Sequence, residues 1–250
     1  MATRTGMVMR LYLHGYDIGG DVSGFGPIAA RANLIDVTSV QDSATRRLVG
    51  KRDGEITFTC FFNDTADASH DALSTLPTTD VLAMVTAGIT RGDPVFCLSA
   101  KQVNYDWNVN QDGSLTGTVQ LVGAAGYPLE TARLLTAKVT HSSATDVTGI
   151  DHGAQTTSGG VGYLQHFAAA SGTVEYDIED SSDSTNGTDG TWGNLLAFSD
   201  VATPYAQIAQ RVEVSGTVER WVRASTNGTF TNAQFAMAFR RRVANEFDAG

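Results

Sequence analysis

Hydrophobic residues recur at every second position along most of this chain. Over residues 93–122 (DPVFCLSAKQVNYDWNVNQDGSLTGTVQLV), Val95, Cys97, Ser99, Lys101, Val103 and Tyr105 share one side and Phe96, Leu98, Ala100 and Gln102 the other. Side chains of a strand alternate with a period of two, so the pattern predicts a long strand. Leu115, Gly117, Val119 and Leu121 then alternate with Thr116, Thr118 and Gln120, which predicts a second strand antiparallel to the first. Between them, Asn108 and the run Asn110, Gln111, Asp112 and Gly113 supply turn chemistry, with side chains that bond their own backbone and a glycine that accepts positive φ. Long paired strands with one dry and one mixed face suit an assembly surface.

The same reading extends along the chain. Leu11, Leu13 and Tyr16 mark a first strand, and the glycines at 19–20 and at 24 and 26 mark a loop after it. The Gly24/Gly26 pair is no dinucleotide fingerprint, because the third glycine is missing and Pro27 follows. Residues 33–38 (NLIDVT) form a candidate strand, and the polar stretch 41–54 is expected to be a long exposed connection carrying Arg46, Arg47, Lys51 and Arg52. In 55–62 (EITFTCFF), Ile56, Phe58, Cys60 and Phe62 form the apolar face of a strong strand. Residues 63–77 predict one amphipathic helix of roughly three turns, with Ala68, Ala72, Leu73 and Leu76 on one side and Pro77 as its stop. A strand over 81–86 follows.

Composition then shifts. A Thr/Ser/Ala-rich run from 127 to 158 predicts an interdomain connection with at most one short strand, placing a boundary near Ala137. Beyond it, residues 161–169, 173–179, 192–198, 210–215, 217–224 and 230–240 read as about six strands with short polar turns, the signature of a β-sandwich. Val174, Tyr176 and Ile178 are expected to point inward, and Glu175, Asp177 and Glu179 outward.

Charge narrows the function. The net charge is -10 and both halves carry an acidic excess, which argues against a tight nucleic-acid binder. Charged residues make up only 18% of the chain while Gly is abundant at 26 residues, which favours turn-rich β structure. The two cysteines, Cys60 and Cys97, fall in apolar runs and read as buried thiols. The N-terminal residues lack an uninterrupted apolar segment, so no signal peptide is expected, and no stretch approaches the length that spans a bilayer.

Candidate chemistry is sparse. Asp177 and Glu179 could pair as acid and base, but a solvated strand face shows the same pattern. The oxygen-rich loop 180–190 (DSSDSTNGTDG) lacks helix-loop-helix calcium spacing and reads as a hairpin tip. The histidines at 14, 70, 141, 152 and 166 show no metal-ligand spacing. No catalytic residue, metal or cofactor is assigned, and the chain is not expected to be an enzyme.

Two runs carry a resemblance: FFNDTADASHDALSTLPTTD at 61–80 and KQVNYDWNVNQDGSLTGTVQL at 101–121, followed by AAGYPLE. In this order the chain resembles the major tail proteins, or tail tube proteins, of long-tailed (siphovirus-like) bacteriophages. The closing GTVERWVRASTNGTFTNAQFAMAFRRR looks like the external β-sandwich, or Ig-like decoration domain, that some of them carry. The resemblance implies a mainly β chain: a tail-tube-type β-sandwich/barrel domain with one short helix over 1–137, a linker over 138–160 and a second β-sandwich over 161–250. It implies hexameric rings stacked into a tube in the virion tail, assembled in the host cytoplasm. Partners would be other copies of the chain and the tape measure, tail terminator and distal tail proteins. DNA would pass through the lumen without specific binding, and no membrane is implied. Arg46, Arg47, Lys51 and Arg52 would lie at the inter-ring interface, with the hairpin turn of Asn110, Gln111, Asp112 and Gly113 as a further contact. Two readings from other classes stand beside it: a carbohydrate- or receptor-binding module using Trp192 or Trp221 as a stacking platform, and a capsid decoration protein.

Overall fold

The computed structural model describes residues 6–202 and 207–243. Residues 1–5 and, within the expected second sandwich, 203–206 and 244–250 lie outside them. A 3-10 turn (Gly6–Val8) leads to β1 (Arg10–Leu13) and β2 (Tyr16–Asp17). The longest hairpin follows, β3 (Val22–Asp36) and β4 (Arg47–Phe61), and then α1 (Ser69–Leu73). Next come β5 (Val81–Thr86), β6 (Pro94–Gln102), β7 (Asp106–Val109), β8 (Leu115–Gly123) and β9 (Glu130–His141). The second half supplies β10 (Thr145–Asp146), β11 (Ile150–Asp151), β12 (Gly160–Ala168), β13 (Ser171–Ser181) and β14 (Gly193–Ala197). It ends with β15 (Val201–Ala202), β16 (Ile208–Val214), β17 (Trp221–Thr231) and β18 (Ala233–Arg241). The chain is mainly β with one short helix, the class that its alternation predicts.

A 12-stranded sheet runs β16-β12-β18-β9-β6-β5-β1-β2, with β3, β4, β7 and β8 branching from it. The fork is β6. One edge of β6 pairs with β5, while its other edge pairs first with β9, through Pro94 to Cys97, and then with β8, through Ala100 to Gln102. The sheet curls on itself, and Tyr12, Leu82, Met84, Cys97, Val161 and Tyr163 meet inside the curl. On the outer face of β5, Val81, Ala83 and Val85 pack with Ile56, Phe58, Val119 and Leu121 of β4 and β8. On the outer face of β18, Phe235, Met237 and Phe239 pack with Val174, Tyr176 and Ile178 of a second, 6-stranded sheet, β10-β17-β13-β14 with β11 and β15 beside it. β5 is therefore buried at every position, and β12 at all but its last. A strand covered on both faces loses its hydrophobic alternation, which is why Val81 to Val85 of β5 read as an unbroken apolar run.

One mouth of the curl is closed by charge. Glu130 of β9 accepts from Arg211 Nε at 2.8 Å, Arg211 Nη2 at 3.1 Å, Tyr163 Oη at 2.5 Å and an Arg240 guanidinium nitrogen. Arg211 Nη1 also meets Glu213 at 2.5 Å, and its guanidinium lies 3.5 Å from the Tyr127 ring centre. Glu130 and Arg211 are buried side chains, 4% and 8% exposed. A buried ion pair offsets its desolvation only when further hydrogen bonds satisfy it, and here four donors converge on one carboxylate.

Several sequence expectations give way. Gly19 and Gly20 form a turn as expected, but Gly24 and Gly26 belong with residues 33–36 to one 15-residue strand, β3. Pro27 is tolerated because β3 is an edge strand, paired only with β4, and the register shifts between Phe25 and Ile28. The connection over 41–54 is shorter than expected, since β4 begins at Arg47. The three-turn helix is a five-residue turn, Ser69–Leu73, with no side-chain cap on its N-cap Ala68. Positive φ at Asp67 (63°) and Leu76 (43°) bends the chain away from helix on both sides. The single long hairpin over 93–122 is three strands, because β7 turns outward to pair with β8 alone. The expected boundary at Ala137 falls inside β9, and the 138–160 segment contains the end of β9 together with β10 and β11. Backbone pairing runs from β6 through β9 to β18 and β12, so strands of both halves share one sheet.

Candidate assembly surfaces

The β3–β4 hairpin has a rooted half and a projecting half. From Glu55 to Phe61, β4 pairs with β8 and buries Ile56, Phe58 and Cys60. From Arg47 to Gly54, β4 pairs only with β3. Seven residues of strand, at about 3.3 Å each, extend this ribbon roughly 23 Å beyond the sheet. The root is Gly54, where a Cβ would come within 2.5 Å of Leu98 Cδ1 and 2.7 Å of the Leu129 backbone nitrogen. Only glycine lets the ribbon leave there without displacing backbone.

The arm is both apolar and basic. Leu34, Ile35, Leu48 and Val49 are 56%, 48%, 57% and 66% exposed, and Val40 at the tip is wholly exposed. Leu34 lies opposite Val49, and Ile35 opposite Leu48, so each face of the ribbon carries an apolar pair. Arg47 and Arg52 share the face of Val49, because the register shift between Ala32 and Leu34 leaves one extra residue in β4 between Val49 and Arg52. Among the described residues Arg47 and Lys51 have no carboxylate partner, while Arg31 is paired with Glu55 at 2.6 Å and Arg46 reaches Asp42 at 3.9 Å. The tip is ordered by its own side chains. Thr38 donates from its backbone and hydroxyl to Asp36 Oδ1, Ser39 N donates to Asp42 Oδ2, and Arg46 N donates to Thr38 Oγ1. Those two donors from Thr38 hold the Asp36 carboxyl below its usual pKa.

The second surface lies at the other end of the β4–β8 ladder. The register pairs Glu55 with Val122 at the arm end and Phe61 with Thr116 at the far end, and the turn of Asn110, Gln111, Asp112 and Gly113 precedes β8 there. Gly113 has φ of 86° and donates to Asn110 O, and Ser114 N and Oγ both donate to Asp112 Oδ1. This is the turn chemistry that the sequence indicates. Beside it, Phe62, His70, Tyr105 and Trp107 form one aromatic patch. The Phe62–Trp107 and Tyr105–Trp107 ring centres are 4.9 and 4.3 Å apart, edge to face, and His70 lies 4.7 Å from Phe62. Exposed Val109 and Val103, at 72% and 55%, extend the patch. Asp64, Asp67, Asp71, Asp106 and Asp112 sit on the same segments. Sequence reasoning missed this patch because its members come from three segments. Phe62, expected on the inner face of β4, lies just past the strand end and is 36% exposed.

The four arm cations are thus on one ribbon, and the turn at 110–113 is at the opposite end. Other candidates resolve into structure. The carboxylate of Asp177 is buried, accepting from Asn194 and Asn227, and Glu179 pairs with Arg223 at 2.6 Å, so neither is poised for acid-base work. In the loop at 180–190, Asp183 and Asp189 accept from Ser181, Thr191, Ser184, Thr185 and Asn186, which satisfies the oxygens a cation would need. Among the described residues no group of His, Cys, Asp and Glu could hold a metal. Trp221 is buried, and Arg223 lies over one face of the Trp192 ring at 4.3 Å. Both cysteines are buried and free, and burial pushes the Cys60 thiol up to about 11. No helix among the described residues is long and apolar enough to cross a membrane.

No protein-family model matches the chain, and no curated protein matches it. Three solved structures are similar to it at low identity. The tail of an empty GTA particle with C6 symmetry shares 18% identity over 50% of this chain and 96% of that one, with a TM-score of 0.38. The SPP1 Dit protein, described as a hub adsorption apparatus of phages infecting Gram-positive bacteria, shares 12% over 94% of this chain and 100% of its own, with a TM-score of 0.33. The phage p2 baseplate in its activated, Sr-bound conformation shares 9% over 94% and 99%, also at 0.33. At these TM-scores the likeness carries no argument, and the reading of function rests on the chain's own geometry.

Proposed function

We propose that this chain is a non-enzymatic structural subunit of a phage tail that joins copies of itself head to tail. The observation that carries the reading is the pair of unlike surfaces at opposite ends of the β4–β8 ladder. One is an apolar, basic arm, and the other is an aromatic patch among aspartates. Surfaces that differ and point apart make heterologous contacts, and these generate rings or open filaments. An isolated two-stranded ribbon is marginal in water, and one that exposes four large aliphatic side chains gains stability by docking them. Opposite charge at the two ends favours the productive orientation.

Hexameric rings, their stacking into a tube and passage of DNA come from the resemblance of 55–137 to tail tube proteins. In this reading the arm and the aromatic patch within residues 1–137 carry the contacts, and the 6-stranded sheet faces outward. Sedimentation velocity tests the docking. The wild-type chain should form oligomers that weaken with salt, as screened charges do. The double variant Arg47→Glu/Lys51→Glu should need at least about tenfold more protein to assemble. Equal assembly by the two proteins would remove the arm from the interface.

A further inference from the structure

Beside the curl, on the face of β9 and β18 turned toward the second sheet, lies an open cavity of about 640 Å³. Its floor is the strand ends, where Arg133 lies opposite Phe239 and Arg241 lies two residues further along the same face. Its rim is the segment after β11. His152 N donates to Arg220 O, Thr156 Oγ1 donates to Arg242 O at 3.2 Å, and Arg242 N donates to Gly159 O. These bonds fix His152, Gln155 and Thr156 beside the arginines.

The lining is unusual for this chain. Net charge is -10, yet among the described residues arginines line this cavity and no Asp or Glu does. Arg133 has no carboxylate partner among the described residues, and the only hydrogen bond of Arg241 there is to Val218 O at 3.4 Å. Burial pulls the Arg241 pKa down, and the charge of Glu219 acts against it. His152 is lowered to about 4, first by burial and then by the charges of Arg241 and Arg133, which places both guanidiniums in the field at one ring. Its Nε2 has no hydrogen-bond partner. Two cations lining one cavity, exposed Arg133 and partly buried Arg241, favour a ligand of opposite charge. The other arginines of the region are bound: Arg240 to Glu130 and Arg242 to Glu213.

We infer that this cavity is a binding site for an oxyanion, a phosphate or a carboxylate, on a ligand up to the size of a monosaccharide. Arg133 and Arg241 hold the oxyanion. Guanidinium forks match both groups in geometry and give hydrogen bonds about twice as strong as neutral ones. Gln155 and Thr131 offer hydrogen bonds to hydroxyls. The volume lies within the range of about 300–1,000 Å³ typical of small-ligand sites. The site is remote from the arm and does not depend on the assembly reading.

Isothermal titration calorimetry on the full chain tests it, with glucose 6-phosphate, glucuronate, inorganic phosphate and glucose as probes. At least one anionic probe should bind saturably and about tenfold or more tighter than glucose. Preference for glucose 6-phosphate or for glucuronate distinguishes phosphate from carboxylate, and inorganic phosphate binding as well as the sugar phosphate shows that the oxyanion alone is read. Arg133→Gln, at an exposed position, should weaken binding about tenfold with thermal stability unchanged, and Arg241→Gln should do the same. Saturable binding by none of the anions, or binding that survives both substitutions, overturns the assignment.

Discussion

Glu130 is the residue whose loss the fold should feel most. It belongs to β9, yet Tyr163, Arg211 and Arg240, which bond it, belong to β12, β16 and β18. Glu130→Gln keeps the volume and removes the charge, leaving two guanidiniums in a site where the carboxylate is 4% exposed. Removing one partner of a buried pair costs about 3–5 kcal/mol, because the remaining charge is stranded. Glu213 still neutralises Arg211 at 2.5 Å, which puts the expected loss at the lower end, about 3 kcal/mol. For a chain of this size each kcal/mol lowers Tm by about 2–4 °C, so the drop should be roughly 6–12 °C. Urea unfolding followed by far-UV and near-UV circular dichroism measures it. The control is Glu213→Gln, whose side chain is 34% exposed and which should cost under about 1 kcal/mol. Because the network crosses between the halves, unfolding should stay a single transition that shifts as a whole. A loss under about 1 kcal/mol for Glu130→Gln, or two transitions of which only one moves, would refute the argument.

Other outcomes follow from the same geometry. Gly54→Ala should destabilise by about 1–3 kcal/mol, since the new methyl meets Leu98 and the Leu129 backbone, and a chemical melt checks it. His152 and His166 are both held near 4 by burial, below the 6.5 of a free side chain. The unfolded chain then binds more protons, so stability is full above about pH 6.5 and falls as pH drops toward 4; His166→Gln should flatten that slope in melts across the window. Trp107→Ala should weaken self-association in sedimentation while leaving Tm nearly unchanged, because the ring is 38% exposed in the monomer.

Much of the fold is legible in the alternation of residues because most strands have one wet face. Val174, Tyr176 and Ile178 point into the core as their spacing indicates, and Val95 and Cys97 lie on the opposite face from Leu98 and Ala100. The turn at 110–113 is legible because it rests on local bonds between Asn110, Asp112, Gly113 and Ser114. Long-range pairing is not legible in this way. β9 looks like a linker since Thr131, Thr136 and Thr140 interrupt its apolar positions, and only β6 and β18 on either side of it make it a central strand. β3 hides because its glycines and Pro27 signal a loop, while the partner that straightens it lies beyond a ten-residue tip, 37–46. Arg46, Arg47, Lys51 and Arg52 are legible as a basic exposed segment, but their place on a projecting ribbon is a property of the β3–β4 register. The aromatic patch and the arginine cavity are assembled from distant segments, and no local spacing announces either.

Self-association through unlike ends is the central claim, and negative-stain electron microscopy of the purified chain at rising concentration tests it most directly. The account predicts rings or tubes of uniform diameter with a central channel, lost in Arg47→Glu/Lys51→Glu. Isolated particles of single-chain size at every concentration, or identical assemblies from the double variant, would contradict it.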